Sequence, residues 1–125
     1  MVERTVEDGR RIAALLASEL SGRSDGALAR VTVADADRSV TGSAAGERAY
    51  DVALDGAVIG AVYVHEHRGR LTLETGVDTA RETAASKELR VRAVPGPSPR
   101  VHVFVPDGGA VKRVVGAVTA VADAR

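Results

Sequence analysis

The spacing of apolar positions changes several times along the chain, and each change marks an element. Ile12, Leu15, Leu16 and Leu20 recur at helical spacing behind Thr5-Val6-Glu7-Asp8, where Thr5 is placed as a cap with an acid three residues on; Ser21-Gly22 stops the run. Leu28 to Asp35 reads as a strand with Val31 and Val33 on one side, and polar, glycine-containing Ala36 to Arg48 as a loop expected to be mobile. Tyr50, Val52 and Leu54 then alternate, as do Val58, Val62 and Val64, with Asp55-Gly56 between them. A two-residue Asp-Gly turn points the two valine faces in opposite directions. A three-residue loop, Leu54-Asp55-Gly56, pairs Val52 with Val58 and keeps one apolar face, so it is the expected geometry. A two-residue turn at Arg68-Gly69 pairs Val64 with Leu73.

Asp78 to Glu88 has a weaker helical pattern whose apolar side is Ala80, Ala84 and Ala85. Leu89 to Val94 and Arg100 to Val105 form two more strands around the stiff turn Pro95-Gly96-Pro97-Ser98-Pro99. Pro106-Asp107-Gly108-Gly109 then leads into a helix from Ala110 to Ala124. The order α-β-β-β-β-α-β-β-α, without an internal repeat, predicts one α+β domain over residues 1–125. Its mostly antiparallel sheet has about six strands, with the helices on one face.

With the valines and leucines turned to the helices, the opposite face carries Arg30, Thr32, Asp51, Tyr63, His65, Thr72, Glu74, Arg90, Arg92, His102 and Phe104. His65 is expected beside Thr72, and Arg92 beside His102. A wet polar face is ordinary for an antiparallel sheet. Arginine, tyrosine and phenylalanine are also the types enriched in interface cores, so Tyr63, His65, Arg90, Arg92, His102 and Phe104 are the candidate interaction residues.

Composition sharpens this picture. The chain has 17 basic and 17 acidic residues, so no gross field draws it to nucleic acid or to anionic membranes. It has no cysteine, which removes disulfides, thiol catalysis and thiolate metal sites. The charged start, Met1-Val2-Glu3-Arg4, lacks a signal peptide's apolar stretch, and no run has the length of a membrane span. A cytoplasmic protein is expected. Fifteen of the basic residues are arginine, and apolar positions are filled mainly by 20 valines and 22 alanines. Such small side chains bury little area each, so stability depends on several elements closing together.

Candidate chemistry is sparse. His65-Glu66-His67 sets two imidazoles on one strand face, a spacing known from sheet metal sites, and His102 shares that face. No carboxylate is placed to complete a site, so no metal or other cofactor is implied. Asp107-Gly108-Gly109, with Lys112 a turn later, has the form of an anion-receiving helix start; Gly108, Gly109 and Lys112 are the candidate ligands. The simpler reading is that Asp107 caps the helix itself. No serine lies in a Gly-x-Ser-x-Gly elbow, and Asp51 with Glu66-His67-Arg68 lacks the lysine of a nuclease site.

Three groups of residues carry a resemblance. They are Glu7-Asp8-Gly9-Arg10-Arg11-Ile12-Ala13-Ala14-Leu15-Leu16-Ala17-Ser18-Glu19, then Ala49-Tyr50-Asp51-Val52, then Val103-Phe104-Val105-Pro106-Asp107-Gly108 with Val111-Lys112-Arg113. These stretches resemble small uncharacterised haloarchaeal proteins, a family of unknown function, and the resemblance implies no activity. The element order is similar to that of type III secretion chaperones, dimers that bind protein segments. That likeness is one of order alone and implies self-association or a protein partner.

The expected function is a non-catalytic domain that forms a homodimer or binds a protein through the polar, aromatic sheet face or a strand edge. The alternative is a small-ligand or metal-binding enzyme using His65, His67 and His102 or the Asp107 helix start. Nucleic-acid binding through Arg30, Arg90, Arg92 and Arg100 with Tyr63 and Phe104 comes third.

Overall fold

The computed structural model describes residues 8–21 and 26–125. Thr5 and Gly22, expected to open and stop the first helix, lie outside the described residues. Asp8 caps helix α1 (Gly9–Leu20), its carboxylate accepting from the Arg10 and Arg11 amides at 2.9 and 3.3 Å. The helix turns Ile12, Ala13, Leu16 and Leu20 inward, while Leu15, expected with them, is 37% exposed.

A 3-10 turn over Ala27–Arg30 precedes strand β1 (Val31–Ala34), so this strand starts three residues later than its pattern suggested. Strands β2 (Glu47–Leu54), β3 (Ala57–Val64) and β4 (Gly69–Leu73) form the meander. Helix α2 (Val77–Ser86), strands β5 (Val91–Val94) and β6 (Arg100–Val105), and helix α3 (Val111–Asp123) complete the chain. The six strands make one antiparallel sheet in the order β1-β2-β3-β4-β6-β5. This is the α+β architecture read from the pattern.

All three helices contribute to one core with the inner face of the sheet. Helix α3 supplies most of it, burying Val111, Val114, Val115, Val118 and Val121 at helical spacing. Helix α2 adds buried Ala80 and Ala84, with half-buried Val77 packed against the core; Ala85 stays exposed. Among the described residues no helix is long and apolar enough to cross a membrane.

Both turn geometries of the meander differ from expectation. The β2–β3 turn has two residues, with Leu54 opposite Ala57 and both Asp55 (φ 51°) and Gly56 (φ 83°) left-handed, the backbone of a type I′ turn. The parity conflict is resolved further along. Ile59 is an extra residue in β3, since Ala53 pairs with Val58 and Val52 with Gly60. This bulge buries Ile59 and returns Val62 and Val64 to the core, leaving Val58 56% exposed.

The β3–β4 connection has four residues, His65 to Arg68, and pairs Val64 with Gly69 rather than with Leu73. That register sets Leu71 opposite Val62 and Leu73 opposite Gly60, inside the core. The start of α1 sits on this loop, with the Gly9 amide donating to the Glu66 carbonyl at 3.1 Å.

The segment between β1 and β2 is tied down at several points. The Asp37 amide donates to the Ala49 carbonyl at 2.7 Å, Val40 is buried, and the Gly42 amide reaches the Glu47 carboxylate at 3.2 Å. A second bulge, at Ala49, shifts the register between Arg48 and Tyr50. Through it Tyr50 faces the core, its hydroxyl donating to the Ala13 carbonyl at 2.8 Å, while Arg48 pairs with Tyr63 on the other face.

Candidate functional site

The strand registers align side chains on the open face in two rows. The first runs Arg48, Tyr63, Arg70 and Phe104 across β2, β3, β4 and β6, and the Phe104 amide donates to the Arg90 carbonyl at 3.0 Å. The second runs Asp51, Ala61, Thr72, His102 and Arg92 across β2, β3, β4, β6 and β5. Cross-strand neighbours of this kind are close enough to interact directly.

Two guanidinium groups lie over the two rings. Arg70 stands 4.4 Å from the centroid of Tyr63, and Arg68 stands 4.9 Å from that of Phe104. Arg70 is otherwise poorly satisfied: its Nε is buried with no hydrogen-bond partner among the described residues. Burial is the main cause that holds the Arg70 guanidinium below the ordinary arginine range; Tyr63 opposes the shift, and Arg68 and Arg100 reinforce it.

The neighbouring charge is one-sided. Arg48 is neutralised by Asp35 and Asp51, at 3.1 and 3.2 Å. Among the described residues, Arg68, Arg70, Arg90, Arg92 and Arg100 have no ion pair with a carboxylate. A chain with no net charge therefore presents a basic half-face over β4, β6 and β5. Between Tyr63 and Arg100 lies a depression of about 160 Å³, floored by Ala61 and Thr72 and bordered by Asp51 and Glu74.

Of the six expected interaction residues, the structure places Tyr63, Arg90, Arg92, His102 and Phe104 along these rows. Arg92 pairs with His102 as the alternation indicated. His65 is the exception and does not lie on the open face. It is 6% exposed under the 43–46 segment, its Nδ1 donating to the Ala44 carbonyl at 3.0 Å, and Nε2 is left without a partner among the described residues. It does not neighbour Thr72, which pairs with Ala61 and His102. Arg30 also leaves the face. It sits in the turn before β1, where it grips Asp55 at 2.6 Å and the Ala122 carbonyl at the end of α3 at 2.9 Å.

The other chemical candidates separate. His65 lies in the β3–β4 loop with His67, while His102 is mid-strand in β6. Among the described residues no three His, Asp or Glu side chains converge to hold a metal ion. At the α3 start, the Asp107 carboxylate accepts the Ala110 amide at 3.0 Å, so the position Gly108, Gly109 and Lys112 would offer an anion already holds one. Thr72 and His102 share a hydrogen bond of 2.8 Å, which has the reach of a nucleophile and base. No carboxylate among the described residues orients this imidazole, and its surroundings weaken it as a base.

Those surroundings hold His102 below the usual imidazole range, by burial first and then by Arg70, Arg100 and Arg92. His65 is lowered too, again chiefly by burial. Both are thus harder to protonate in the fold than in the unfolded chain, which takes up protons near pH ~6.5. Unfolding free energy then falls as pH drops from that value toward the folded pKa values, because the unfolded state binds more protons. Melting temperatures measured between neutral and mildly acidic pH should decline, and the His65→Gln/His102→Gln double variant should show a flatter decline. Equal slopes would sink this account.

Arg68 and Arg70 were not among the sequence candidates. Arg68 belonged to the expected two-residue turn and Arg70 followed it, and only the four-residue loop brings Arg70 into the ladder opposite Tyr63. A further pocket of about 450 Å³ lies between α1 and the 36–40 segment, where Ala13, Ala14 and Ala17 leave space that larger helix residues would fill. Compared with known proteins, the whole chain, residues 1–125, matches the model of a Family of unknown function (DUF7993). No curated protein and no solved structure matches it.

Proposed function

We propose that this chain, which belongs to the family of unknown function DUF7993, is a non-catalytic binding domain that takes an anionic macromolecule on the open face of its sheet. The observation that carries this reading is the row Tyr63–Arg70–Phe104, stacked by Arg70 and Arg68 and surrounded by arginines that have no carboxylate partner among the described residues. Each unpaired guanidinium is a fixed, always charged fork suited to carboxylate or phosphate. Segregation of charge, rather than net charge, makes this face attract polyanions.

Self-association is the other use for such a surface. A symmetric pairing of this face would set Arg68, Arg70, Arg90, Arg92 and Arg100 against the same patch of a second copy, which like-charge repulsion opposes. A dimer would have to use an edge strand, β1 or β5, instead.

Retention on a heparin column tests the reading. The protein should be retained at low salt, and the Arg90→Glu/Arg92→Glu double variant should elute at clearly lower salt. Both positions are exposed, so the substitutions leave the core alone. Elution of the two proteins at the same salt would put the contact elsewhere and overturn the proposal.

A further inference from the structure

We infer that the anionic macromolecule is single-stranded RNA. This deepens the reading of the open sheet face as a polyanion site and rests on it. Three features favour RNA over an acidic polypeptide.

The first is the spacing of flat groups. Tyr63 on β3 and Phe104 on β6 stand on either side of β4, two strand spacings or about 10 Å apart. Each ring carries a guanidinium stacked on it. Aromatic rings and guanidinium planes are the surfaces on which unpaired bases stack. The side chains of a run of aspartate and glutamate have no aromatic plane to offer in return.

The second is the balance of charge within the depression. Asp51 and Glu74 border it together with Arg48 and Arg100, and Asp51 is already held by Arg48, so its lining has no excess of positive charge. A glutamate or aspartate side chain entering there finds nothing to repay its desolvation. A neutral base enters without that cost, and its exocyclic amino group donates to a carboxylate, as the cytosine amine does. Tyr63 forms one wall for stacking, and Ala61 leaves room for a flat group against the sheet.

The third is the separation of roles. The arginines with no carboxylate partner among the described residues lie on β4, β6, β5 and their ends, with Arg100 at the rim of the depression and the others beyond it. A strand laid across the face sets its phosphates on Arg68, Arg90 and Arg92 while one base turns into the depression. The 2′-hydroxyl adds a donor for the carboxylates that DNA lacks, and pairing of the bases in a duplex would remove them from the rings.

Fluorescence anisotropy tests this with a labelled oligocytidylate of about ten nucleotides. The competitors are the matching DNA, a double-stranded RNA of the same length, and polyglutamate. The RNA should bind most tightly, with a logarithmic salt slope of about −0.7 for each phosphate neutralised. Tyr63→Ala should weaken binding about tenfold, the share carried by one stacked base, and Tyr63→Phe should restore it. Arg92→Glu, at an exposed strand position, should weaken it similarly without disturbing the fold, as its melting temperature will record.

Polyglutamate binding as tightly as RNA would overturn the RNA assignment and leave the polyanion face standing. Equal binding of DNA or duplex RNA would likewise overturn it, removing the 2′-hydroxyl or the stacked bases as determinants. Retention on heparin together with no binding of the oligonucleotide would sink this inference alone. Loss of both would sink the face as well.

Discussion

Leu71→Ala should lower the unfolding free energy by about 3–5 kcal/mol, at the upper end of large-to-small core substitutions. Leu71 is fully buried at the middle of β4, between Val62 on β3 and Val103 on β6. Both of its ladder partners are valines, which are stiff at χ1 and cannot lean far into the space it vacates. The hole therefore stays open, and the cavity cost adds to the lost transfer free energy. Urea unfolding followed by circular dichroism measures this, with the midpoint falling and the slope unchanged. A domain of this size has only about 5–15 kcal/mol in hand, so the variant should be close to unfolding at physiological temperature. Val58→Ala is the matched comparison. Since Val58 is 56% exposed, its loss should stay within about 0.5 kcal/mol. A large effect at Val58 would restore the three-residue loop and contradict the observed register.

Gly60→Ala is expected to cost about 3 kcal/mol, the upper end of overpacking. Gly60 follows the Ile59 bulge and is buried opposite Leu73 of β4. A Cβ added there would lie 2.2 Å from the Thr72 carbonyl oxygen and 3.0 Å from the Leu73 Cα. Both are backbone atoms of a central strand, so relief requires β4 itself to move. That movement would carry Thr72, and with it the floor of the depression beside Tyr63. Two results should therefore appear together: a lower urea midpoint and a weaker oligonucleotide interaction. Unchanged stability would mean that the bulge can slide and that the tight approach is not essential to the register.

The helices and strands that rest on local pattern were legible in the chain. Val101, Val103 and Val105 alternate without interruption, and β6 runs from Arg100 to Val105 as read. The valines of α3 keep helical spacing over three turns, and Asp107 is a cap of ordinary type. Arg92 and His102 become neighbours because both lie on one face of a regular antiparallel pair. Element order followed from these signals, and with it the sheet with helices on one face.

Tertiary structure decided what local pattern leaves degenerate. Period-two alternation allows any register that preserves parity, and a single bulged residue reverses parity at small cost. The bulges at Ala49 and Ile59 therefore have no signature in the chain, although they place Arg48 outward and Ile59 inward. The four-residue loop at His65 to Arg68 was selected by the docking of α1 on its backbone and by the burial of Leu71 and Leu73. His65 left the open face because the 43–46 segment folds over it, a contact between residues some twenty positions apart. Above all, a composition of equal charges says nothing about where the charges go. Neutrality is a sum over the whole chain, whereas an electrostatic surface depends on distance, and only the assembled sheet brings Arg68, Arg70, Arg90, Arg92 and Arg100 together.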